Sequence, residues 1–210
     1  EDELVIDAKG IYSIENFLTA RMFMYWQVYY HKTSVLAESL LVKILERAKY
    51  LVSQGHVLPA SENLGYFLYK NQFDKATEED IKRFTELDDN DVIQAIKFWT
   101  KNDDLILSYW CKCVIERKFP KTLISSKPFD AEFIDDKINK TNLRYGVGVG
   151  EELVDQISRN LLPYNADHQP INLLQKNGQK IKLDHSENQI LSSFINQLNT
   201  KYILSFPREI

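Results

Sequence analysis

The chain has 210 residues, a hydrophobic content of 44% and a formal net charge of −4. This is enough to bury a core, as one domain or as a main domain with a smaller one. Because 26 basic residues stand against 30 acidic ones, no chain-wide positive field favours nucleic acid as the partner. The apolar runs are too short for a membrane span and the start does not resemble a signal peptide, so we expect a cytoplasmic protein with no membrane partner.

The start of the chain predicts a strand followed by a helix. Residues 3–8 alternate like a short strand with no partner nearby in the sequence, and Gly10 is the expected turn. Ser13 is the expected N-cap, with Asn16 at the third helical position. The first residue is Glu1 rather than Met. We therefore expect a processed or truncated larger protein, and omission of a disordered start or a tag explains the same observation.

A long helix is predicted next, running to about Val52 and capped by Gln54-Gly55. If unbroken it has about 40 residues and a length of roughly 60 Å. At about 100° per residue, the predicted buried side comprises Met22, Phe23, Trp26, Tyr30, Leu40, Leu41 and Ile44.

The opposite side of this helix carries a polar stripe. With the same period, Arg21, Tyr25, Tyr29 and Lys32 share one narrow face, and His31 lies to the side of it. A guanidinium and phenolic hydroxyls offset their desolvation only when something accepts their hydrogen bonds, so the stripe indicates a phosphate ligand. An ordinary amphipathic helix with a hydrated edge explains the periodicity equally well.

The middle of the chain is predicted to consist of short helices with capped starts. The predicted helices are Asn63–Tyr69; one that begins at Thr77 with acids in its first turn; one capped by Asp89 or Asn90 that carries Val92, Ile93, Ile96 and Trp99; and one capped by Asp103-Asp104 that carries Leu105, Ile106, Tyr109, Trp110 and Val114. These last two are predicted core helices.

A basic patch follows the last of these helices. Residues 112–127 contain five basic residues and one acid, Glu116, for a net charge of +4. The basic residues are Lys112, Arg117, Lys118, Lys121 and Lys127. The dipole of a helix favours cations at its C-terminus, which gives the patch a structural explanation. Phosphate binding is the other explanation.

Beyond Pro128 the pattern predicts a small α/β unit. Its predicted elements are a helix over Phe129–Leu143, a strand over Arg144–Val149, a loop over Pro163–Ala166, a hairpin of residues 171–175 and 179–183 around Asn177-Gly178, a helix from Ser186 to about Leu198, and a strand over Tyr202–Phe206. We therefore predict two domains, 1–128 and 129–210, which pack together because no flexible linker joins them.

Several chemistries are not supported by any motif. The Gly146-Val-Gly-Val-Gly150 run has the wrong spacing for a dinucleotide fingerprint, and Glu151-Glu152 after it would repel a pyrophosphate. Cys111 and Cys113 are two residues apart on a predicted helix and do not face each other, so we expect no disulfide and no metal from them. No cofactor or metal site is predicted in this chain.

One longer pattern resembles a known family. Residues 14–32 read Ile14-Glu-x-Phe-Leu-x-x-Arg21-x-x-Met-x-x-x-x-Tyr29-x-His31-Lys32, which resembles the helix after the metal site in HD-superfamily phosphohydrolases. The dNTP triphosphohydrolases are the most similar members. The resemblance extends through Leu45–Ala48, Phe84–Asp89 and Ile115–Lys121, and covers roughly residues 1–127.

The resemblance implies a mainly helical (α+β) fold, in which a helical lobe with a long helix precedes the small α/β unit. In that family a divalent metal, held by His, a His-Asp pair and a later Asp, activates water against a nucleotide phosphate. Those four ligands are not found in this sequence. The resemblance therefore implies the C-terminal piece of a longer enzyme, inactive alone, with a divalent metal in the parent protein.

Three residues match the substrate-holding positions of that family. By resemblance, Arg21 grips a substrate phosphate and Tyr29 packs on or bonds to the nucleotide. Tyr25 stands where relatives often have His, near the leaving group. A phenol is a poorer proton donor at neutral pH than an imidazole, so this departure puts acid catalysis from the position in doubt.

Four further residues match a regulatory site. His31, Lys32, Arg117 and Lys121 correspond to residues that bind a regulatory nucleotide at a subunit interface in activated relatives, which implies a homo-oligomer. Two other classes of protein stay open. One is a non-catalytic nucleotide-binding or oligomerisation module, and the other is a purely structural helical protein whose cations cap helices.

Overall fold

The computed structural model describes residues 4–70, 75–161, 170–183 and 199–210. The chain divides into two compact units, each made of three segments. The first unit consists of Glu1–Ser34, Leu123–Asp130 and Gln156–Leu204, and the second unit of Val35–Thr122, Ala131–Asp155 and Ser205–Ile210. The division into domains at residue 128 stays a prediction.

Helices dominate the described ranges, and two small sheets accompany them. The helices are α1 (Ile11–Met24), a π-helix (Tyr25–Tyr29), α2 (Lys32–Ser53), α3 (Glu62–Tyr69), α4 (Glu78–Thr85), α5 (Asp89–Trp99), α6 (Leu105–Ile115), α7 (Ala131–Tyr145) and α8 (Gly150–Leu153). The strands are β1 (Ile6–Asp7), β2 (Lys121–Ser125), β3 (Asp155–Leu161), β4 (Asn172–Leu174), β5 (Lys180–Lys182) and β6 (Asn199–Phe206). The sheets have the orders β1-β4-β5 and β2-β6-β3. The predicted mainly α (α+β) class is confirmed.

The start of α1 differs from the prediction. Strand β1 finds its partner far along the chain, because Ile6 pairs in parallel with Leu173 of β4. A short 3₁₀ turn then leads directly into α1 at Ile11, so Ser13 lies inside the helix and the predicted N-cap is wrong. The N-cap of α1 is Gly10, which has no side-chain cap, and Asp7 caps the preceding 3₁₀ turn by accepting a hydrogen bond from the backbone N–H of Lys9 at 2.8 Å.

The predicted long helix is interrupted, so its continuity is wrong although most of its length is helical. At the π-helix, the N–H of Tyr30 donates to the carbonyl of Tyr25 at 2.7 Å, an i→i+5 bond. The helix then stops and restarts at Lys32. Its end at Ser53 agrees with the predicted cap, since Gly55 has a φ of 88° and the N–H of His56 donates to the carbonyl of Leu51.

The capped starts of the middle helices are well predicted. Thr77 and Asp80 form a reciprocal capping box at the start of α4. The side chain of Asp104 accepts the N–H of Leu107 at 2.7 Å, which confirms the predicted cap of α6. The cap of α5 is Asp88, one residue before the predicted position.

The predicted strand over Arg144–Val149 is wrong. Residues 144 and 145 complete α7, and Gly146 and Gly148 adopt φ values of 115° and 85° in a turn. Gly150 then begins α8, where a β-carbon would lie 2.3 Å from the carbonyl oxygen of Ile138. The glycines therefore serve a tight helix-to-helix connection, and the β-branched valines between them gave a false strand signal.

The predicted hairpin is confirmed. Strands β4 and β5 pair antiparallel with Leu173 opposite Ile181, and Gly178 in the turn has a φ of 82°. The final strand is also confirmed, although β6 begins earlier than predicted. Strands β2 and β3 were not predicted. The predicted loop over Pro163–Ala166 and the predicted helix from Ser186 to about Leu198 lie outside the described residues.

The second unit holds the larger core. Ile44, Ala48, Ile96, Trp99 and Leu107 have no exposed surface. The indole N–H of Trp99 donates to the carbonyl of Pro59 at 2.9 Å, so the ring is buried with its polar atom satisfied. Within the described ranges, no helix combines the length and apolarity needed to cross a membrane.

The first unit has a smaller cluster built on Leu18, Leu173 and Leu183. Of the predicted buried side of the long helix, Met22, Leu40 and Ile44 are buried, and Trp26, Tyr30 and Leu41 are half-buried. Phe23 is 46% exposed, so its predicted burial is wrong. The wheel assumed a single regular helix, whereas the π-helix at Tyr25–Tyr29 interrupts its period.

Candidate functional site

The polar stripe on α1 and the π-helix forms a compact group of side chains. The Nη2 of Arg21 donates to the hydroxyl of Tyr25 at 3.1 Å, and its guanidinium carbon lies 5.0 Å from the centre of the Tyr25 ring. The Tyr25 ring contacts the ring of Tyr29 at a centroid distance of 4.9 Å. The structure thus brings together Arg21, Tyr25 and Tyr29, as the wheel placed them.

Tyr30 joins this group, which sequence reasoning missed. The wheel put Tyr30 on the side opposite Tyr25, but their ring centres are 5.7 Å apart. The π turn is the reason, because its i→i+5 bond stacks residue 30 over residue 25. The hydroxyl of Tyr30 also donates to the carbonyl of Asn160 at 3.5 Å. No sequence signal marks a π turn, so the fourth member could not be found from periodicity.

His31 and Lys32 stand apart from the stripe in their local structure. The Nδ1 of His31 accepts the backbone N–H of Thr33 at 3.3 Å, as a cap at the start of α2 would. Lys32 is the first residue of α2 and is exposed. The helix breaks between Tyr29 and Lys32, so the wheel angle that grouped Lys32 with Arg21 no longer applies.

The other side of α1 carries two buried polar atoms. Glu15 is 7% exposed, and its Oε1 has no hydrogen-bond partner among the described residues. The same holds for the indole nitrogen of Trp26, whose ring lies 5.4 Å from the Nζ of Lys201. Sequence reasoning placed Trp26 correctly on the inner side and missed Glu15, because a carboxylate between apolar residues is ordinarily assigned to the surface.

Arg117 lies at a cavity in the second unit. The cavity has a volume of about 450 Å³, and four cations line it: Lys112, Arg117, Lys118 and Arg208. The acids at its wall are Glu116 and Glu209. Lys118 pairs with Glu116 at 3.0 Å, and the Nε of Arg208 donates to the carbonyl of Phe119. Sequence reasoning missed Arg208, since it lies 91 positions after Arg117 with no motif around it.

The backbone of Arg117 is itself unusual. Its φ of 55° is in the left-handed region, at the position after α6 where glycine is favoured. An L-residue in this conformation costs roughly 1 kcal/mol or more. The helix dipole explains why cations are found here. It does not explain why this left-handed position is occupied by a residue with a β-carbon rather than by glycine.

Lys121 does not line this cavity. It is the first residue of β2, and its Nζ lies 5.7 Å from the ring centre of Phe206. Lys137, a second lysine that the sequence did not single out, lies 5.1 Å from the same ring. The basic patch read from the sequence is therefore divided between a helix end and a strand.

The cysteines near this cavity are not poised for chemistry. Both Cys111 and Cys113 are buried free thiols. Burial raises the pKa of Cys111 to about 12 and that of Cys113 to about 11. Their thiolate forms are therefore scarce at neutral pH, which disfavours nucleophilic or metal-binding roles.

A second cavity, of about 390 Å³, was not predicted. It lies against one face of α2, and its walls include Lys43, Arg47 and Trp110. Arg47 forms a two-pronged bond with Asp104, at 3.1 and 2.7 Å, and Lys43 pairs with Asp155 at 3.4 Å. Because these cations are already paired with carboxylates, little positive charge is left on this face to attract an anion.

The described residues do not fit a metal centre. Across residues 4–70, 75–161, 170–183 and 199–210, no group of three or more His, Cys, Asp or Glu side chains is placed to hold a metal ion. No metal-dependent step is assigned to residues of this chain.

The predicted site residues belong to two different units. Arg21, Tyr25, Tyr29, His31 and Lys32 are in the first unit, and Arg117 and Lys121 are in the second. It stays a prediction that one site is shared by His31, Lys32, Arg117 and Lys121.

A family model and a solved structure relate this chain to known proteins. The family model of the HD associated region matches residues 1–61, which include the whole polar stripe. The solved structure of a phosphohydrolase from Bacteroides thetaiotaomicron is 36% identical, has a TM-score of 0.86, and aligns with 99% of this chain and 52% of its own length.

Two more distant relatives complete the comparison. The uncharacterized protein YwfO of Bacillus subtilis is 29% identical over 100% of this chain and 48% of its own length. A hypothetical protein from Aquifex aeolicus shares the fold, with a TM-score of 0.60, 22% identity and 45% of its length covered. The chain thus spans about half the length of the relatives it matches. These similarities support a relation of this chain to the HD superfamily of phosphohydrolases.

Proposed function

We propose that this chain is the phosphate-holding C-terminal part of an HD-type phosphohydrolase that acts on a nucleotide. The proposed reaction hydrolyses a dNTP to a deoxynucleoside and triphosphate. The main support is the Arg21 group, an exposed guanidinium fixed beside phenolic hydroxyls, within the stretch that the HD associated family model matches. Arginine forks and hydroxyl donors are suited to the oxygens of a phosphate chain.

In this proposal each residue of the group has a distinct task. Arg21 binds a phosphate of the substrate and Tyr29 packs on or bonds to the nucleotide. Tyr25 lies between them, near the leaving group. In this proposal another part of the parent enzyme supplies the metal ligands, so this chain alone is expected to bind phosphate without hydrolysing it.

The second part of the proposal is a regulatory nucleotide site formed by basic side chains. His31, Lys32, Arg117 and Lys121 bind a regulatory nucleotide in an oligomer of the parent enzyme. The cavity at Arg117 supports this role, because four cations line it against two acids and Arg117 keeps a left-handed backbone. A non-catalytic nucleotide-binding module is the second candidate, and this basic cavity is the observation that favours it.

One experiment separates the two candidates. The full-length protein is incubated with each dNTP and Mg²⁺ or Mn²⁺, and release of deoxynucleoside and tripolyphosphate is followed by chromatography. Hydrolysis that disappears on addition of a chelator supports the enzyme. Nucleotide binding without hydrolysis under any of these conditions contradicts it and supports the binding module.

A matched pair of variants ties the activity to the site. Arg21→Ala is compared with Arg144→Ala, because Arg144 is also an exposed arginine near a tyrosine, with its guanidinium carbon 5.8 Å from the Tyr145 ring centre. Only the first substitution is expected to reduce hydrolysis. Equal effects of the two would remove the assignment of Arg21.

A further inference from the structure

Among the described residues, Tyr25 holds the guanidinium of Arg21 in two ways. One N–H donates to the Tyr25 hydroxyl at 3.1 Å, and the guanidinium carbon lies 5.0 Å from the ring centre of the same residue. The hydrogen bond fixes where the fork lies, and the ring contact limits how its plane can turn. An arginine has five N–H donors, so most of them are left for a ligand.

Tyr25 is in turn supported from behind. Its ring contacts Tyr29 and Tyr30 at centroid distances of 4.9 and 5.7 Å, an arrangement that the π turn makes possible. Tyr30 is tethered to the carbonyl of Asn160. All of these residues belong to the first unit. The contacts therefore form a continuous chain from Asn160 through two tyrosines to the guanidinium of Arg21.

Such support matters for binding an anion. A free arginine side chain loses rotamer freedom when a phosphate immobilises it, which weakens binding. A side chain held in place before the ligand arrives avoids much of that loss.

We propose that Tyr25 is a positioning residue, which acts on the substrate by holding the guanidinium of Arg21 and does not donate the proton to the leaving group. The inference rests on the proposed function, in which Arg21 binds phosphate. It assigns a role to the tyrosine at the position where the HD phosphohydrolases that this chain resembles often have His. The hydroxyl oxygen of Tyr25 accepts a bond from Arg21, and its ring is packed on other rings.

A double-mutant cycle on the full-length protein tests this role, with inorganic tripolyphosphate as the ligand and calorimetry as the measurement. Tyr25→Phe removes the hydroxyl and keeps the ring. We expect it to weaken tripolyphosphate binding about 5- to 10-fold in the wild-type background, a loss within the range of one intramolecular hydrogen bond. In the Arg21→Gln background the same change is expected to alter affinity less than about 2-fold, because additivity fails for residues that act as a unit.

Two comparisons keep the cycle interpretable. Tyr12→Phe removes a hydroxyl from the same helix, where Tyr12 is 67% exposed and lies nine positions before Arg21, and is expected to leave the affinity unchanged.

Arg21→Lys keeps the charge but not the planar fork, so its affinity is expected to fall as in Tyr25→Phe. If Tyr25→Phe unfolds, as a melting curve would reveal, the Arg21→Lys loss alone carries the test, and an unchanged affinity there overturns the proposal.

Either of two results would overturn the inference. An equal loss from Tyr25→Phe in both backgrounds means that Tyr25 contacts the ligand directly, and no loss in the wild-type background means that Arg21 needs no support. The pH dependence of turnover gives an independent readout. An acid catalyst would impose a fall in turnover at high pH that Tyr25→Phe removes, whereas a positioning role leaves the shape of the profile unchanged.

Failure of this inference is distinguishable from failure of the proposed function. A protein that shows the coupling in tripolyphosphate binding but hydrolyses no nucleotide refutes the function and retains the role of Tyr25. A protein that hydrolyses dNTPs without coupling between Tyr25 and Arg21 retains the function and refutes the role.

Discussion

Two helical regions of this chain differ in the exposure of their aromatic and aliphatic side chains. In the core of the second unit, aromatic and aliphatic side chains such as Trp99 and Ile44 have no exposed surface. On α1 and the π-helix, Tyr29 is 58% exposed and Met24 is 50% exposed, while a carboxylate oxygen of Glu15 is buried without a described partner. The first region buries its apolar side chains fully, whereas the second exposes aromatic and apolar side chains.

The largest effect should come from the stable region. Trp99→Ala removes a fully buried indole that donates to Pro59, so we expect a loss of about 4 kcal/mol in the free energy of unfolding. Urea denaturation measures it. Phe98→Ala, next in sequence but 55% exposed, is the control and should cost less than about 1 kcal/mol. Similar losses for the two would mean that the core does not centre on Trp99.

On α1 we expect a substitution to reduce turnover strongly and to change stability little. Arg21→Ala should lower the turnover of the full-length protein about 100- to 1,000-fold, because the guanidinium stabilises charge that develops on the phosphate. Its melting temperature should stay within about 2 °C of wild type, since an exposed side chain contributes little to folding. A variant that retains its turnover would show that the stripe is only a hydrated helix edge.

An intermediate effect, on the free energy of unfolding, is expected from loss of the ion pair between Arg47 and Asp104. Arg47 joins α2 to the start of α6 through its two-pronged bond with Asp104. Arg47→Met keeps the aliphatic stem but leaves the carboxylate unpaired, so the free energy of unfolding should fall by about 2 kcal/mol. The double variant Arg47→Met/Asp104→Asn should recover part of this loss. A fully additive double variant would contradict a direct coupling between the two residues.

The smallest effect is a dependence of stability on pH. The hydrogen bond from Lys70 is the largest cause that holds the pKa of Asp80 well below its usual range, and bonds from Thr77 add to it. A carboxyl whose folded pKa is depressed stabilises the fold above its unfolded pKa of about 4, and this contribution is lost as the pH falls below that value. Denaturation at pH 7 and pH 3 should show the loss, and Asp80→Asn should reduce it.

The parts of the fold that follow from local chemistry were predictable from the sequence. The capping box at Thr77, the cap at Asp104 and the turn at Gly178 each depend on residues within a few positions of one another. The pairing of strand β1 could not be predicted, because Ile6 pairs with Leu173, 167 positions later, and no local pattern identifies a partner so far away. The false strand at residues 144–149 arose from valines placed between glycines that a helix connection required.

The candidate site divides in the same way. Arg21, Tyr25 and Tyr29 follow the helical period up to the interruption, so periodicity grouped them. Tyr30 and Lys32 lie at or beyond the interruption, and Arg208 reaches the basic cavity only through the tertiary fold. Sequence reasoning therefore found the members that one regular helix relates. It missed Tyr30 and Arg208, and it extended the helical wheel to Lys32 across the interruption.

The π turn also has a consequence for sequence length. Its i→i+5 bond accommodates one residue more than an α-helical turn would. Deletion of a single position between Tyr25 and Tyr29 would let an i→i+4 bond replace the i→i+5 bond, and it would remove the stacking of residue 30 over residue 25. A homologue that lacks one residue in this interval is thus expected to have exchanged the contacts of its tyrosines, even if every remaining side chain is identical.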